Sequence, residues 1–221
     1  MITLVLEAST YAGSVALLDG SELVAECAVA MRGREHEALM PAVAQVLEMS
    51  GRDMHDIERV VCGAGPGSFT SLRIAGAIAK GIALGLAVPL VSLSSLALLV
   101  ASRKSHGAGS FLAVADAMRG ERYTQAFVVD AAGDLAMQGG VHIMSAADAG
   151  ARAESLGALI LGPDEPGEAH VVPRAGASAR ITKMIDASSP ADLASWEPGY
   201  GRQAEAQVKW EAEHGKPLPQ V

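Results

Sequence analysis

Apolar positions along the chain change period several times, and the changes mark out elements. Residues 3–8 are almost continuously apolar, as in a strand covered on both faces. Residues 14–18 and 23–30 read as two further strands joined across Asp19 and Gly20, a hairpin signal. A helical period follows over 35–49 and stops at Gly51, a natural C-terminal cap. Next come a strand at 59–63, a Gly-Pro-Gly turn and a long helix at 69–86. A short strand at 89–92 leads to a helix over 94–103 that Ser94 can cap.

The order then starts again. Residues 111–117 and 122–129 form a hairpin across Arg119 and Gly120, with a third strand at 136–144. Ser145 can cap a helix ending near 155, with Asp148 at the capping-box position. A strand at 158–161, a Gly-Pro loop, a strand at 169–172 and a helix at 177–187 complete the second series. Three strands followed by alternating helix and strand, twice over, predict two duplicated α/β lobes. Each lobe is a mixed sheet flanked by helices, one at 1–105 and one at 106–221. A last helix at 203–213 could pack back on the first lobe, ahead of a tail containing Pro217 and Pro219.

The helices at 35–49 and 69–86 are apolar over much of their circumference. Leu39, Met40, Val43, Val46 and Leu47 mark the first, and Leu72, Ile74, Ile78 and Ile82 the second. An apolar helix over a sheet normally keeps a polar outer face. Two helices without one predict a second cover, and those nine residues are the candidate partner interface. Gly76, Gly81 and Gly85 would let a neighbouring helix come close. Coverage from within, by the 203–213 helix and the second lobe, is the other way to satisfy the same pattern. Residues 81–101 carry no charge over about one membrane thickness, but Pro89 and the serines after it divide the run, so no membrane span is expected.

Composition narrows the choices. The 221 residues are 50% apolar with a mean hydropathy of +0.26, which excludes disorder, and the 4% aromatic share leaves the core to Ala, Leu, Val and Ile. A net charge of −8 argues against the chain gripping nucleic acid alone. Cys27 and Cys62 stand far apart in apolar runs, as free thiols do in a reducing compartment. The start lacks the basic, uninterrupted apolar pattern of a signal peptide, so a cytoplasmic location is expected.

The run 63–73, between a strand and a helix, lies where phosphate loops occur. It has no Lys for a P-loop, and Ser68 stands where a dinucleotide fingerprint needs its third glycine. Two readings remain: a tight turn with a good cap, or an anion edge of Gly65, Gly67, Ser68, Thr70 and Arg73 at the helix N-terminus. The hairpin at 116–123 is either a solvated turn or a cleft element in which Asp116 and Glu121 fix arginines such as Arg119. No metal site is expected, since His36 is followed four residues on by Met40 and the other histidines are scattered. No nucleophile elbow or Cys–His arrangement is present in the sequence either.

GPGSFTSLRIA at 65–75 resembles the GPGSFTGLRIG signature of the bacterial TsaB (YeaZ) family, and DAMRGERY at 116–123 is similar to that family's DARRGEVY-type segment. LVLEAST at 4–10, HEAL at 36–39 and, loosely, PGYGR at 198–202 extend the likeness over nearly the whole chain. The resemblance implies an actin-like, two-lobed fold and a part in making N6-threonylcarbamoyladenosine in tRNAs that read codons beginning with A. It implies a non-catalytic subunit that binds and activates TsaD, with TsaE in the complex and TsaC supplying the donor. It further implies a homodimer in isolation, tRNA bound only within the complex, and no intrinsic cofactor, with ATP or ADP at the surface shared with TsaD. Glu7 stands where active members of the superfamily carry Asp, and Ser9 where they favour Gly, which crowds the pocket. Ser71 and Ala75 replace glycines of the signature and would alter only packing. An autonomous ATPase or small-molecule kinase of the same fold is the alternative.

Overall fold

A computed structural model describes residues 1–32, 37–105, 107–201 and 213–215. Strands β1 (Ile2–Glu7), β2 (Ala12–Asp19) and β3 (Glu22–Ala30) form an antiparallel meander. β4 (Arg59–Gly63) and β5 (Leu90–Leu93) add in parallel, giving the order β3-β2-β1-β4-β5. Helices α1 (Leu39–Ser50) and α2 (Phe69–Leu86) cover one face, against Leu4, Leu6, Val15, Leu17, Val60 and Cys62. Val5, Ala16, Leu18 and Val61 point to the other face, onto α3 (Ser95–Ala101) and residues 175–185. With both faces covered, β1 is buried along its whole length, which explains why it is almost continuously apolar.

The second sheet has the order β8-β7-β6-β9, from β6 (Gly109–Asp116), β7 (Glu121–Val129), β8 (Leu135–Ser145) and β9 (Leu159–Leu161). α4 (Ala146–Leu156) sets Ala149 and Ala153 on Leu112, Val114 and Ala126. α3 is buried along its whole length because it serves both sheets. Leu98 and Ala101 face the first, and Leu96, Leu99 and Val100 face the second. Its C-terminal carbonyls are met by two arginines: Arg103 donates to Val100 O, and Arg180 donates to Ala101 O and Arg103 O.

Three expectations are corrected. The strand at 169–172 is a single bridge between Gly162 and His170, beside a 3-10 turn at Gly167–Ala169. The helix at 177–187 is split into a 3-10 turn, Ala175–Arg180, and a short α5, Thr182–Asp186. First-lobe side chains cause the split. The Ala175 amide donates to Ser14 Oγ and the Gly176 amide to Glu26 Oε1, which draws the turn down onto β2 and β3. At Ser145 the cap forms, but Asp148 answers through the hydroxyl, accepting from Ser145 Oγ at 2.7 Å. The helix at 203–213, whose residues 203–212 are not among those described, and the start of the first helix at 35–36 lie outside the described structure.

α2 is long and apolar enough to cross a membrane by length and composition. Here it is a sheet-covering helix, and the chain turns at Pro89 into β5. After α5 a strap returns to the first lobe. The Ala191 amide donates to Leu90 O, Lys80 Nζ donates to Trp196 O, and the Gly199 amide donates to Ala64 O.

Candidate docking face and glycine loop

The nine residues expected to meet a partner separate into two groups. Leu39, Val43, Val46, Leu47, Leu72 and Ile82 are buried in the chain's own core, so they are removed from the partner interface. Their spacing explains it: at about 100° per residue, the four on α1 fall within an arc of about 100°, an ordinary core-facing stripe. Ile74 and Ile78 are half-buried at the flank of α2, and Met40 is exposed. The outward positions are different residues. Met40 and Met49 stand out from α1, and Ala77, Gly81, Leu84 and Gly85 from α2. Leu84 is 61% exposed, and nothing lies within 4 Å of a Cβ built on Gly81 or Gly85. Large apolar residues drew attention to the helices, whereas the open stripe is made of small ones.

Part of α2 is covered from within. A Cβ on Gly76 would stand 2.9 Å from Pro198 Cγ and 3.6 Å from the Trp196 ring. The strap therefore crosses α2 at Gly76 and leaves the Gly81 and Gly85 end open.

The glycine loop is closed on its own chain. The Ala64 amide donates to Leu93 O, the Gly65 amide to Ser95 Oγ and the Ser68 amide to Ser9 O. Gly65 (φ +86°) and Gly67 are required by close backbone approach. Cβ atoms there would stand 2.5 Å from Gly199 O and 2.1 Å from Ser9 O. Gly65 and Ser68 are therefore removed from the anion edge, because their amides already have acceptors. Ser68 makes no side-chain cap; its hydroxyl bonds Ser71 Oγ at 3.0 Å. Thr70 and Arg73 are exposed, and the Arg73 guanidinium lies 5.4 Å from the centre of the Phe69 ring, which itself contacts Tyr200.

Behind the loop sits Glu7, with no exposure at all. Burial pushes its carboxyl above the ordinary 4.5, against the lowering effect of hydrogen bonds from Ser9 and Ser95. The neighbouring Cys62 thiol is pushed up by burial and by the Glu7 charge. These crowded, interlocked groups do not fit a nucleotide phosphate in this lobe.

Of its two readings, the 116–123 hairpin shows the turn in its described contacts. Asp116 Oδ1 accepts the Met118 amide at 2.8 Å, which supports a turn with Met118, Arg119 and Gly120 all at positive φ. Arg119 is exposed, Glu121 is half-buried, and it is Arg122 that is fixed, by an ion pair with Glu165. Among the described residues no three His, Cys, Asp or Glu side chains gather as a metal site would require. Sequence reasoning did not find the strap. Tyr123 reaches it, donating from its hydroxyl to Tyr200 O at 3.2 Å.

Fold and site define a class: a two-lobed α/β protein with a self-closed glycine loop and an open, small-residue helix face. The sequence profile of the TsaD family, tRNA N6-adenosine threonylcarbamoyltransferase, matches residues 31–158, more than half of the chain. The chain is 37% identical over 125 residues to the tRNA threonylcarbamoyladenosine biosynthesis protein TsaB of Escherichia coli, covering 56% of this chain and 53% of that protein. It is 33% identical over 124 residues to TsaB of Bacillus subtilis, covering 56% and 54%. The chain spans about half the length of the curated relatives it matches. The crystal structure of YeaZ from Pseudomonas aeruginosa superposes with a TM-score of 0.72 at 23% identity, over 89% of this chain and 98% of that one, and shares the fold. The chain belongs to the TsaD family of proteins and, within it, to the TsaB (YeaZ) group.

Proposed function

We propose that this chain is a non-catalytic subunit that binds and activates TsaD in the synthesis of N6-threonylcarbamoyladenosine on tRNAs that read codons beginning with A. The observation that carries the proposal is the open stripe of α2 (Ala77, Gly81, Leu84, Gly85). Such a surface lets another helix pack at short range over apolar contacts. The same stripe serves a homodimer when the chain is alone. TsaE joins the assembly, TsaC provides the activated threonylcarbamoyl donor, tRNA is held mainly by the other subunits, and all of this takes place in the cytoplasm. Any ATP or ADP sits at the surface shared with TsaD, a reading supported by the Ala64, Gly65 and Ser68 amides being engaged within the chain.

Gly81→Arg and Leu84→Arg place a guanidinium on the stripe without touching the core. An arginine buried at an interface without a counter-charge costs several kcal/mol. Circular dichroism should show a folded protein, and pull-down should show TsaD binding weakened about 100-fold or more. Undiminished binding by both variants refutes the surface. Reconstituted tRNA modification with and without this chain tests the role itself, and steady ATP turnover by the purified chain would favour an autonomous kinase instead.

A further inference from the structure

Glu7 ends β1 at the point where the C-terminal ends of the parallel strands β1, β4 and β5 meet. In open α/β sheets that crevice is where ligands bind. Here it already contains a carboxyl group. Glu7 Oε1 accepts the Ser9 amide at 2.6 Å, and Oε2 accepts the Ser95 hydroxyl at 2.8 Å. Ser95 Oγ in turn accepts the Gly65 amide at 3.0 Å, so one hydroxyl links the carboxyl group to the glycine loop. Gly63 gives way to it: a Cβ there would stand 1.9 Å from Oε2. Among the described residues no Lys, Arg or His forms an ion pair with Glu7. The carboxyl group in turn acts on the buried Cys62 thiol, which it helps to push up.

Buried carboxyl groups without a cation are costly, and structural ones normally carry an ion pair. This one instead meets an amide from the turn after β1 and a hydroxyl from α3, as binding-site donors converge on a ligand. We infer that Glu7 is the resident ligand of this crevice: its carboxyl group fills from within the place a small free anion would take, and holds the glycine loop shut. Removing it exposes the Ser9 amide and the Ser95 hydroxyl to a ligand of the same chemistry, a small carboxylate. The inference goes beyond the proposed function and stands whether or not the chain binds TsaD.

Glu7→Ala deletes one methylene and the carboxyl group, leaving a hole of the size of acetate. Thermal midpoints of wild type and variant are compared in sodium acetate and in sodium chloride at equal ionic strength. The variant should melt lower, and acetate at tens of millimolar should raise its midpoint saturably by about 3 °C while leaving wild type unmoved. A folded variant that acetate shifts no more than wild type overturns the inference. Should Glu7→Ala not fold, Glu7→Asp decides, because it draws the carboxyl group back by one methylene from the Ser95 hydroxyl and the glycine loop behind it. Hydrogen exchange at Ser9 and Gly65 should then quicken about tenfold, with Leu4 and Val60 unchanged. Equal exchange in the Asp variant and wild type overturns the inference as well.

Discussion

At the scale of single residues, Glu7 links burial to pH. Its folded carboxyl holds a proton more tightly than the unfolded chain does, because burial raises its pKa above 4.5. Between 4.5 and that raised value the folded state binds more protons, so the contribution of Glu7 to stability falls as pH rises. Glu7→Gln cannot titrate. The difference in melting temperature between wild type and Glu7→Gln should therefore be most favourable to wild type near pH 4 and shrink toward neutrality. A difference that grows with pH would mean that the hydrogen bonds from Ser9 and Ser95 outweigh burial. The two thiols should also separate. Cys62 is buried and pushed away from thiolate, whereas Cys27 is half-buried and its Sγ bonds Gln45 Oε1 at 3.0 Å. Iodoacetamide should label Cys27 in the native protein and Cys62 only after denaturation, as peptide mass analysis would show.

At the scale of elements, the boundaries readable in advance were those set by local chemistry. β4 and α2 begin and end where the sequence pattern places them, because the Gly-Pro-Gly turn separates them and a left-handed Ala87, with Pro89 two residues on, ends the helix. The turn at 175–180 could not be read that way. Its shape comes from Ser14 and Glu26, which lie some 150 positions earlier in the chain. The docking face failed for a related reason: a helical wheel counts apolar residues but does not know which arc meets the sheet. Val43 shows the consequence. Buried at the centre of α1, it makes Val43→Arg a folding defect rather than a test of partner binding, with a cost of about 3–5 kcal/mol. The variant should lose its cooperative melt. The strap is testable through Gly76, because Gly76→Val would push Pro198 and Trp196 off α2. Hydrogen exchange of the Gly199 amide, which donates to Ala64 O, should then rise while β1 stays protected. Unchanged protection at Gly199 would mean the strap is held from its other end, through Tyr123 and Tyr200.

For the whole molecule, charge and shape together limit what the chain can do alone. A net charge of −8 repels a phosphate backbone, and several of the described arginines are engaged with other groups of the chain. Arg59 pairs with Asp186, Arg122 with Glu165 and Arg174 with Glu26, while Arg103 and Arg180 serve the end of α3. Among the described arginines Arg32, Arg52, Arg73 and Arg119 are exposed, scattered over separate loops and elements. Such scatter does not supply the clustered charge whose counterion release drives tRNA binding. Mixed with tRNA at about 100 mM salt, the chain alone should give no saturable gel shift up to tens of micromolar. A shift that appears only when TsaD is added, and that Leu84→Arg removes, would put the RNA on the partner and the coupling on the α2 stripe. Tight binding by the chain alone would overturn the division of labour between subunits.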